Sequence, residues 1–339
     1  MHPKINIKYL TKDQELKSKV LAFVHAWYSE KLYIESNTSG STGKPKTIKL
    51  LKKHLKASAQ MTGEYFKFEQ GQNILLSLSV DTIGGKMIII RALEFKMQLT
   101  VSDVVKNPLL NLQEHIAFAS FVPYQLISIL EESPDKLSLI DNILLGGAPV
   151  SKLLSDSIQN FPMNFYESYG MTETMSHVAI KNLKGPVPNF RALENISFST
   201  SNDSLIIHAP NLGIEALETN DQVELISSSE FKWLGRKDFV IISGGKKFHP
   251  ELLEKKIENQ LTDRYFITKE SDEKLGEKLV LFIENNYSST HYAEIIKILI
   301  SKLDKHEVPK NIHFYSPFVE TDSGKINRIS TYQKWKNEH

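Results

Sequence analysis

The 339-residue sequence contains no cysteine, and that absence removes thiol nucleophiles, thiolate-held zinc and disulfide scaffolds together. A chain of this length buries about 75% of the surface that its unfolded form exposes, so it can hold a core without any of these devices. An excess of charge of one sign is also lacking: 41 Lys and Arg stand against 40 Asp and Glu, a formal charge of +1. A protein that coats nucleic acid or an anionic membrane needs a basic excess, so neither partner is expected. No apolar run approaches the roughly 20 residues of a membrane span. The longer runs, such as residues 20–24 and 87–90, are core-sized. The first 14 residues alternate polar and apolar without the apolar stretch of a signal peptide, which reads as a cytoplasmic protein. There is no internal repeat and no low-complexity tract.

What is present is alternation. Thr11-Lys12-Asp13-Gln14 has the spacing of a capping box, and Leu16, Val20, Phe23, Val24 and Trp27 then recur at helical intervals. A polar, Gly-rich stretch over residues 36–46 fits neither helix nor strand. Strand-length apolar runs at 74–80, 116–122, 143–145 and 163–166 alternate with helix-like segments at 54–66, 124–130 and 151–158. This predicts a largely parallel sheet with crossover helices. Over residues 184–242 the helical period disappears and a small β-rich module is expected. Pro250 then opens a helix, and runs at 265–268, 279–283 and 312–315 with a helix at 292–303 predict a compact α+β tail.

The densest chemical signal is Thr38-Ser39-Gly40-Ser41-Thr42-Gly43-Lys44-Pro45-Lys46. Small residues admit a ligand close to the backbone, hydroxyls and N–H groups donate, and two lysines neutralise phosphate. Only two residues separate Gly40 from Gly43, and Pro45 follows the lysine, so this is not a Walker A loop. Four further segments come after it: Gly146-Gly147-Ala148-Pro149; Tyr166-Glu167-Ser168-Tyr169-Gly170-Met171-Thr172-Glu173; a junction from Leu234 through Arg236, Asp238 and Ser243-Gly244-Gly245 to His249-Pro250; and Ser323-Gly324-Lys325-Ile326-Asn327-Arg328. Each alone reads as a turn, a hairpin or a solvated charge.

Together, and in this order, they resemble the motifs of the adenylate-forming superfamily of acyl- and aryl-CoA ligases, luciferases and adenylation domains. The resemblance implies an α/β fold with a large N-terminal αβ(+β) domain over residues 1–237, shortened at its amino end, and a small mobile α+β domain over residues 238–339. It implies that Thr38 to Lys44 and Lys46 hold phosphates and that Gly147, Ala148 and Pro149 pack against adenine. Glu167, Ser168, Tyr169 and Gly170 would line the nucleotide, with the segment's aromatic stacked on the base. Thr172 would contact phosphate, Glu173 would bind magnesium, and Asp221 and Arg236 would complete the ATP and AMP site. Asp238 stands at the hinge position, Ser243, Gly244 and Gly245 face the CoA channel, and Lys325 is the catalytic lysine. The implied reaction is attack of a carboxylic acid on ATP, with Mg2+, to give an acyl-adenylate that CoA then cleaves. No enzyme nucleophile is needed, which suits a chain without cysteine.

Four departures stand out: Thr47 where the family has Gly after Pro-Lys, Asn220 for the Gly before Asp221, Ser79-Val80-Asp81-Thr82-Ile83-Gly84-Gly85 in place of a His-containing acyl-site segment, and Glu320-Thr321 without the usual proline-basic pair. Within the superfamily, Ser168 to Thr174 with Ser176-His177, and Ile242 to Gly245 with His249-Pro250, look most like the o-succinylbenzoate-CoA ligases of menaquinone biosynthesis. An acid with two carboxylates requires a donor for the one not activated, and His177, Lys86, Arg91 and Arg191 are the candidates. The alternatives are a ligase for another acid, an adenylation module that loads a carrier protein, and a non-catalytic relic.

Overall fold

The computed structural model describes residues 5–37, 46–186, 189–320 and 326–339. In chain order the elements are β1 (Ile7–Tyr9), α1 (Gln14–Tyr28), β2 (Tyr33–Asn37), β3 (Thr47–Leu51), α2 (Lys52–Phe66), β4 (Asn73–Leu76), α3 (Ile83–Glu94), β5 (Gln98–Val101), β6 (Ile116–Phe121), α4 (Pro123–Glu132), β7 (Ile140–Leu145), α5 (Lys152–Ser157) and β8 (Asn164–Gly170). There follow β9 (His177–Asn182), β10 (Phe190–Ala192), β11 (Ser197–Ser201), β12 (Ser204–Ala209), β13 (Ile214–Ser227) and β14 (Glu230–Arg236). The remainder comprises β15 (Ile241–Ser243), β16 (Lys246–Phe248), α6 (Pro250–Ile257), β17 (Tyr265–Asp272), β18 (Gly276–Ile283), α7 (Ser289–Lys302), β19 (Asn311–Phe314) and α8 (Arg328–Glu338).

Alternation along the strands builds three layers. Ile74, Leu76 and Phe118 face the core shared with α1, α2 and α3, whereas Leu75, Ala119 and Phe121 face the one shared with α4 and α5. Both faces of the central strands are therefore apolar, as a parallel sheet covered by crossover helices requires. The twelve-stranded sheet runs β1-β5-β4-β6-β7-β8-β9-β10-β14-β13-β12-β11. It is parallel from β1 through β8 and antiparallel from β9 onward. The β-rich stretch continues this sheet: Val178, Phe198, Leu205 and Phe231 share one core with the helices α1 to α3.

Three local expectations also change. The α1 cap is Asp13, whose Oδ1 accepts from the N–H groups of Glu15 at 2.8 Å and Leu16 at 3.1 Å, while Thr11 supports Asp13 instead of capping the helix itself. A carboxyl acceptor two residues nearer the helix wins over a hydroxyl. The run at 74–80 is strand only to Leu76; Ser79 and Thr82 then turn the chain, and the Thr82 side chain caps α3 through Gly85 N–H. The helix α3 was not foreseen because Met87, Ile88, Ile89 and Ile90 are all buried, so no polar face marks its period.

After β14 a second, five-stranded sheet joins β15 to β19, with α6 and α7 on one face and Phe318, Tyr332 and Trp335 on the other. The start of α8 is tied into this unit by Arg328, which donates to both oxygens of Glu254, at 2.8 and 2.7 Å, and lies over the Phe239 ring. Removing one partner of such a pair strands the other charge. Glu254→Leu should destabilise the protein by about 3 kcal/mol or more, and adding Arg328→Met should restore most of that loss. Urea denaturation checks both; a single variant as stable as the double one would show that the pair does not act as a unit.

Candidate active site

The site begins where the sheet changes sense. β8 runs parallel to β7 and antiparallel to β9, with a register shift between Tyr169 and Gly170. A Cβ at Gly170 would stand 2.2 Å from the Ser176 carbonyl oxygen and 2.5 Å from His177 Cα, so only glycine allows the approach. The intervening loop is held by Thr174, whose Oγ1 accepts from Met171 N–H at 2.9 Å and lies 2.7 Å from the Ser176 carbonyl. This loop buries Thr172 and leaves Glu173 exposed. Next to it, the turn after β7 is stapled to β8 twice. Ser168 Oγ donates to the Leu145 carbonyl at 2.9 Å, and Glu167 Oε1 accepts from Val150 N–H at 3.0 Å. Gly147, at φ +80°, makes that turn, and Ala148 and Pro149 follow it. Glu167, expected at the nucleotide, is buried in an ion pair with Lys181 and so braces the turn from behind.

Three strands, β8, β13 and β14, converge on one carboxylate. Asp221, on β13, accepts from Tyr169 Oη at 2.7 Å and from Trp233 Nε1 at 3.1 Å, and is the cross-strand partner of Arg236. Tyr169 packs edge-on to Phe231 and tilted to Phe190. Burial, reinforced by the Asp221 charge, holds its phenol well above the usual range, so it stays a donor. Each Asp221 oxygen accepts one bond and keeps capacity for a ligand hydroxyl. Trp233 was missed from the sequence because its reach to Asp221 depends on the irregular register between Gln222 and Val223.

The junction is engaged as well. Arg236 Nη2 meets Asp238 Oδ2 at 2.9 Å, so the expected nucleotide arginine and the expected hinge residue pair with each other. Glu251 Oε1 accepts from Arg236 N–H at 3.2 Å, and its Oε2 lies 2.6 Å from where a Cβ on Gly235 would stand. Gly244 and Gly245, both at positive φ, form the two-residue turn between β15 and β16. Among the described residues, no hydrogen bond or ion pair joins Ser243, Gly244 or Gly245 to the Asp221 cluster. Lys46 is exposed at the foot of β3. The calls on Thr38, Ser39, Gly40, Ser41, Thr42, Gly43, Lys44 and Lys325 lie outside the described residues.

Of the four candidates for a second carboxylate, two already have carboxylate or carbonyl partners. Arg191 is exposed near Glu230, and Lys86 donates to the Asp81 carbonyl and Ser36 Oγ. Arg91 differs. It is fully buried on α3 beside the Phe118 ring; Nη2 donates to Ser176 Oγ at 3.0 Å, and Nε has no partner among the described residues. Burial pushes its pKa down to about 9, and no carboxylate pairs with it among the described residues. His177 is buried next to it, held well below its ordinary value by burial and by the Arg91 charge.

Residues 23–202 match the family described as AMP-binding enzyme. A 2-succinylbenzoate–CoA ligase of Lactococcus lactis is 28% identical over 88% of this chain and 70% of its own length. An acyl-CoA synthetase (AMP-forming)/AMP-acid ligase II-like protein from Dyadobacter fermentans shares 35% identity over 95% of both chains, with a TM-score of 0.64. The o-succinylbenzoate coenzyme A synthetase of Bacillus subtilis, solved with ATP and magnesium ion, shares the fold at 20% identity, covering 88% of this chain and 69% of its own, with a TM-score of 0.76.

The depressed His177 fixes a sign. An unfolded chain protonates this imidazole below about pH 6.5 while the folded one does not, so its contribution is intact above that pH and is lost as pH falls, by up to about 1.4 kcal/mol per unit. His177→Asn should flatten the loss of stability between pH 6.5 and 5, read as the change in urea midpoint; equal slopes in both proteins would refute the buried neutral state.

Proposed function

We infer, from the premise that the chain belongs to the AMP-binding enzyme family, that it joins an acid bearing a second anionic group to coenzyme A, with o-succinylbenzoate as the acid. The reaction class is that of the family, AMP-forming acid–CoA ligation. The observation that carries the finer reading is Arg91. A buried guanidinium with no anion is costly, and a dicarboxylic acid would supply the missing charge from the substrate side. The likeness to 2-succinylbenzoate–CoA ligases supports the same acid.

In this reading the acid's reacting carboxylate attacks the α-phosphorus of ATP, the bond to pyrophosphate breaks, and acyl-adenylate remains. The thiol of CoA then attacks the acyl carbonyl and AMP leaves. Asp221, kept by Tyr169 and Trp233, accepts from the ribose, and the turn at Gly147 to Pro149 flanks the base. Thr172 and the cations Lys44, Lys46 and Lys325 meet phosphate charge as it develops. Magnesium, where bound, screens that charge. Glu173 would hold it, since an exposed carboxylate suits an ion that takes one or two carboxylates and completes its shell with phosphate and water. The large domain is proposed as residues 1–237 and the small one as 238–339. They would turn about Asp238, which releases Arg236 toward the nucleotide and exchanges Lys325 for the Ser243 to Gly245 side between the two half-reactions.

CoA-dependent AMP release should be greater with o-succinylbenzoate than with benzoate or a fatty acid; equal release would refute the assigned acid. Arg91→Met should raise KM for o-succinylbenzoate by about 100-fold and leave KM for ATP near its original value, because a buried charge-assisted contact is lost on the acid side alone. Lys325→Ala should abolish adenylate formation while sparing thiolysis of supplied acyl-adenylate, and equal loss of both would remove the lysine from its assigned role.

A further inference from the structure

Arg91, Ser176, His177 and Thr62 form a hydrogen-bond chain whose direction can be assigned atom by atom. The Thr62 hydroxyl donates its hydrogen to the Ser58 carbonyl at 3.0 Å, since a carbonyl only accepts. Thr62 Oγ1 also lies 3.2 Å from His177 Nε2, where it must be the acceptor, so Nε2 carries the imidazole hydrogen. The ring is neutral, because burial and the Arg91 charge both oppose its protonation. Nδ1 is therefore bare, and it accepts from Ser176 Oγ at 3.3 Å. With its hydrogen committed there, Ser176 Oγ presents only lone pairs to Arg91 Nη2 at 3.0 Å.

We propose that His177 is a positioning residue for acid recognition: as the Nε2–H tautomer it fixes Ser176 as an acceptor, and Ser176 in turn aims the Arg91 guanidinium at the acid's second anionic group. The proposal rests on Arg91 as the anchor for that group. Its physical content is the rotor at Ser176. Without a bare nitrogen at Nδ1 the serine hydrogen is free to turn toward Arg91, where a donor meets a donor and the guanidinium loses its orientation.

Three replacements separate the parts. His177→Asn keeps an acceptor near the Nδ1 position, His177→Gln keeps a donor near Nε2, and His177→Phe keeps volume alone. With Phe or Gln, KM for o-succinylbenzoate should rise about tenfold, and with Asn it should stay within about twofold, while KM for benzoate and for ATP stays level throughout. A rise for both acids, or an equal rise with Asn and Phe, would overturn the proposal. If Arg91→Met leaves the preference for the dicarboxylic acid unchanged, the anchor reading fails. If that variant abolishes the preference and His177→Phe preserves it, only the positioning role falls. Imidazole 15N NMR of the unliganded protein gives a readout independent of turnover: Nε2 should be protonated and Nδ1 bare from pH 8 to 5, and a hydrogen on Nδ1 anywhere in that range would overturn the assignment.

Discussion

At Gly170 two main chains approach more closely than any side chain would permit, and the rest of the site depends on that contact. Because β8 and β9 touch there, the loop between them is short and held at its base by Thr174. One strand of the pair brings Tyr169 to Asp221, and the other places His177 and its neighbour Ser176 beside Arg91. A single backbone constraint at the point where the sheet changes from parallel to antiparallel therefore serves both the Asp221 cluster and the Arg91 cluster, the two places to which the proposed function assigns nucleotide and acid.

The two buried arginines show how surroundings, not residue type, separate structure from recognition. Arg328 is neutralised within the chain by a bidentate carboxylate and secures the start of α8. Arg91 is more deeply buried, yet among the described residues its hydrogen-bond partner is the uncharged Ser176 hydroxyl. The first charge is satisfied internally. The second has no carboxylate partner among the described residues, and the proposed function assigns it an anion from the substrate; composition, with its near-perfect balance of 41 and 40, shows neither.

Much of the fold was legible because apolar residues recur at strand and helix intervals, and the order of the motifs pointed to the segments that the structure gathers around Gly170 and Asp221. What stayed hidden has physical reasons. The helix α3 shows no period because it is buried on nearly all sides. Trp233 reaches Asp221 through a bulge, and sequence spacing does not reveal bulges. Glu167 sits inside a nucleotide motif but turns toward Lys181, a choice set by which face of β8 is covered. Among the four residues considered for the second carboxylate, residue type could not discriminate, whereas the lack of a charged partner among the described residues set Arg91 apart.

The continuity of the twelve-stranded sheet has a consequence for how the protein loses structure. The ladder passes through β8 and β9 without interruption, and one core cluster extends from α1 to β14. Loss of the antiparallel strands would strip cover from the apolar face on which α1, α2 and α3 rest, and loss of those helices would expose the antiparallel strands. The two halves are thus one cooperative unit. Opening in either half spreads to the other, and the ligand-facing loops between them stay shaped only as long as the entire sheet does.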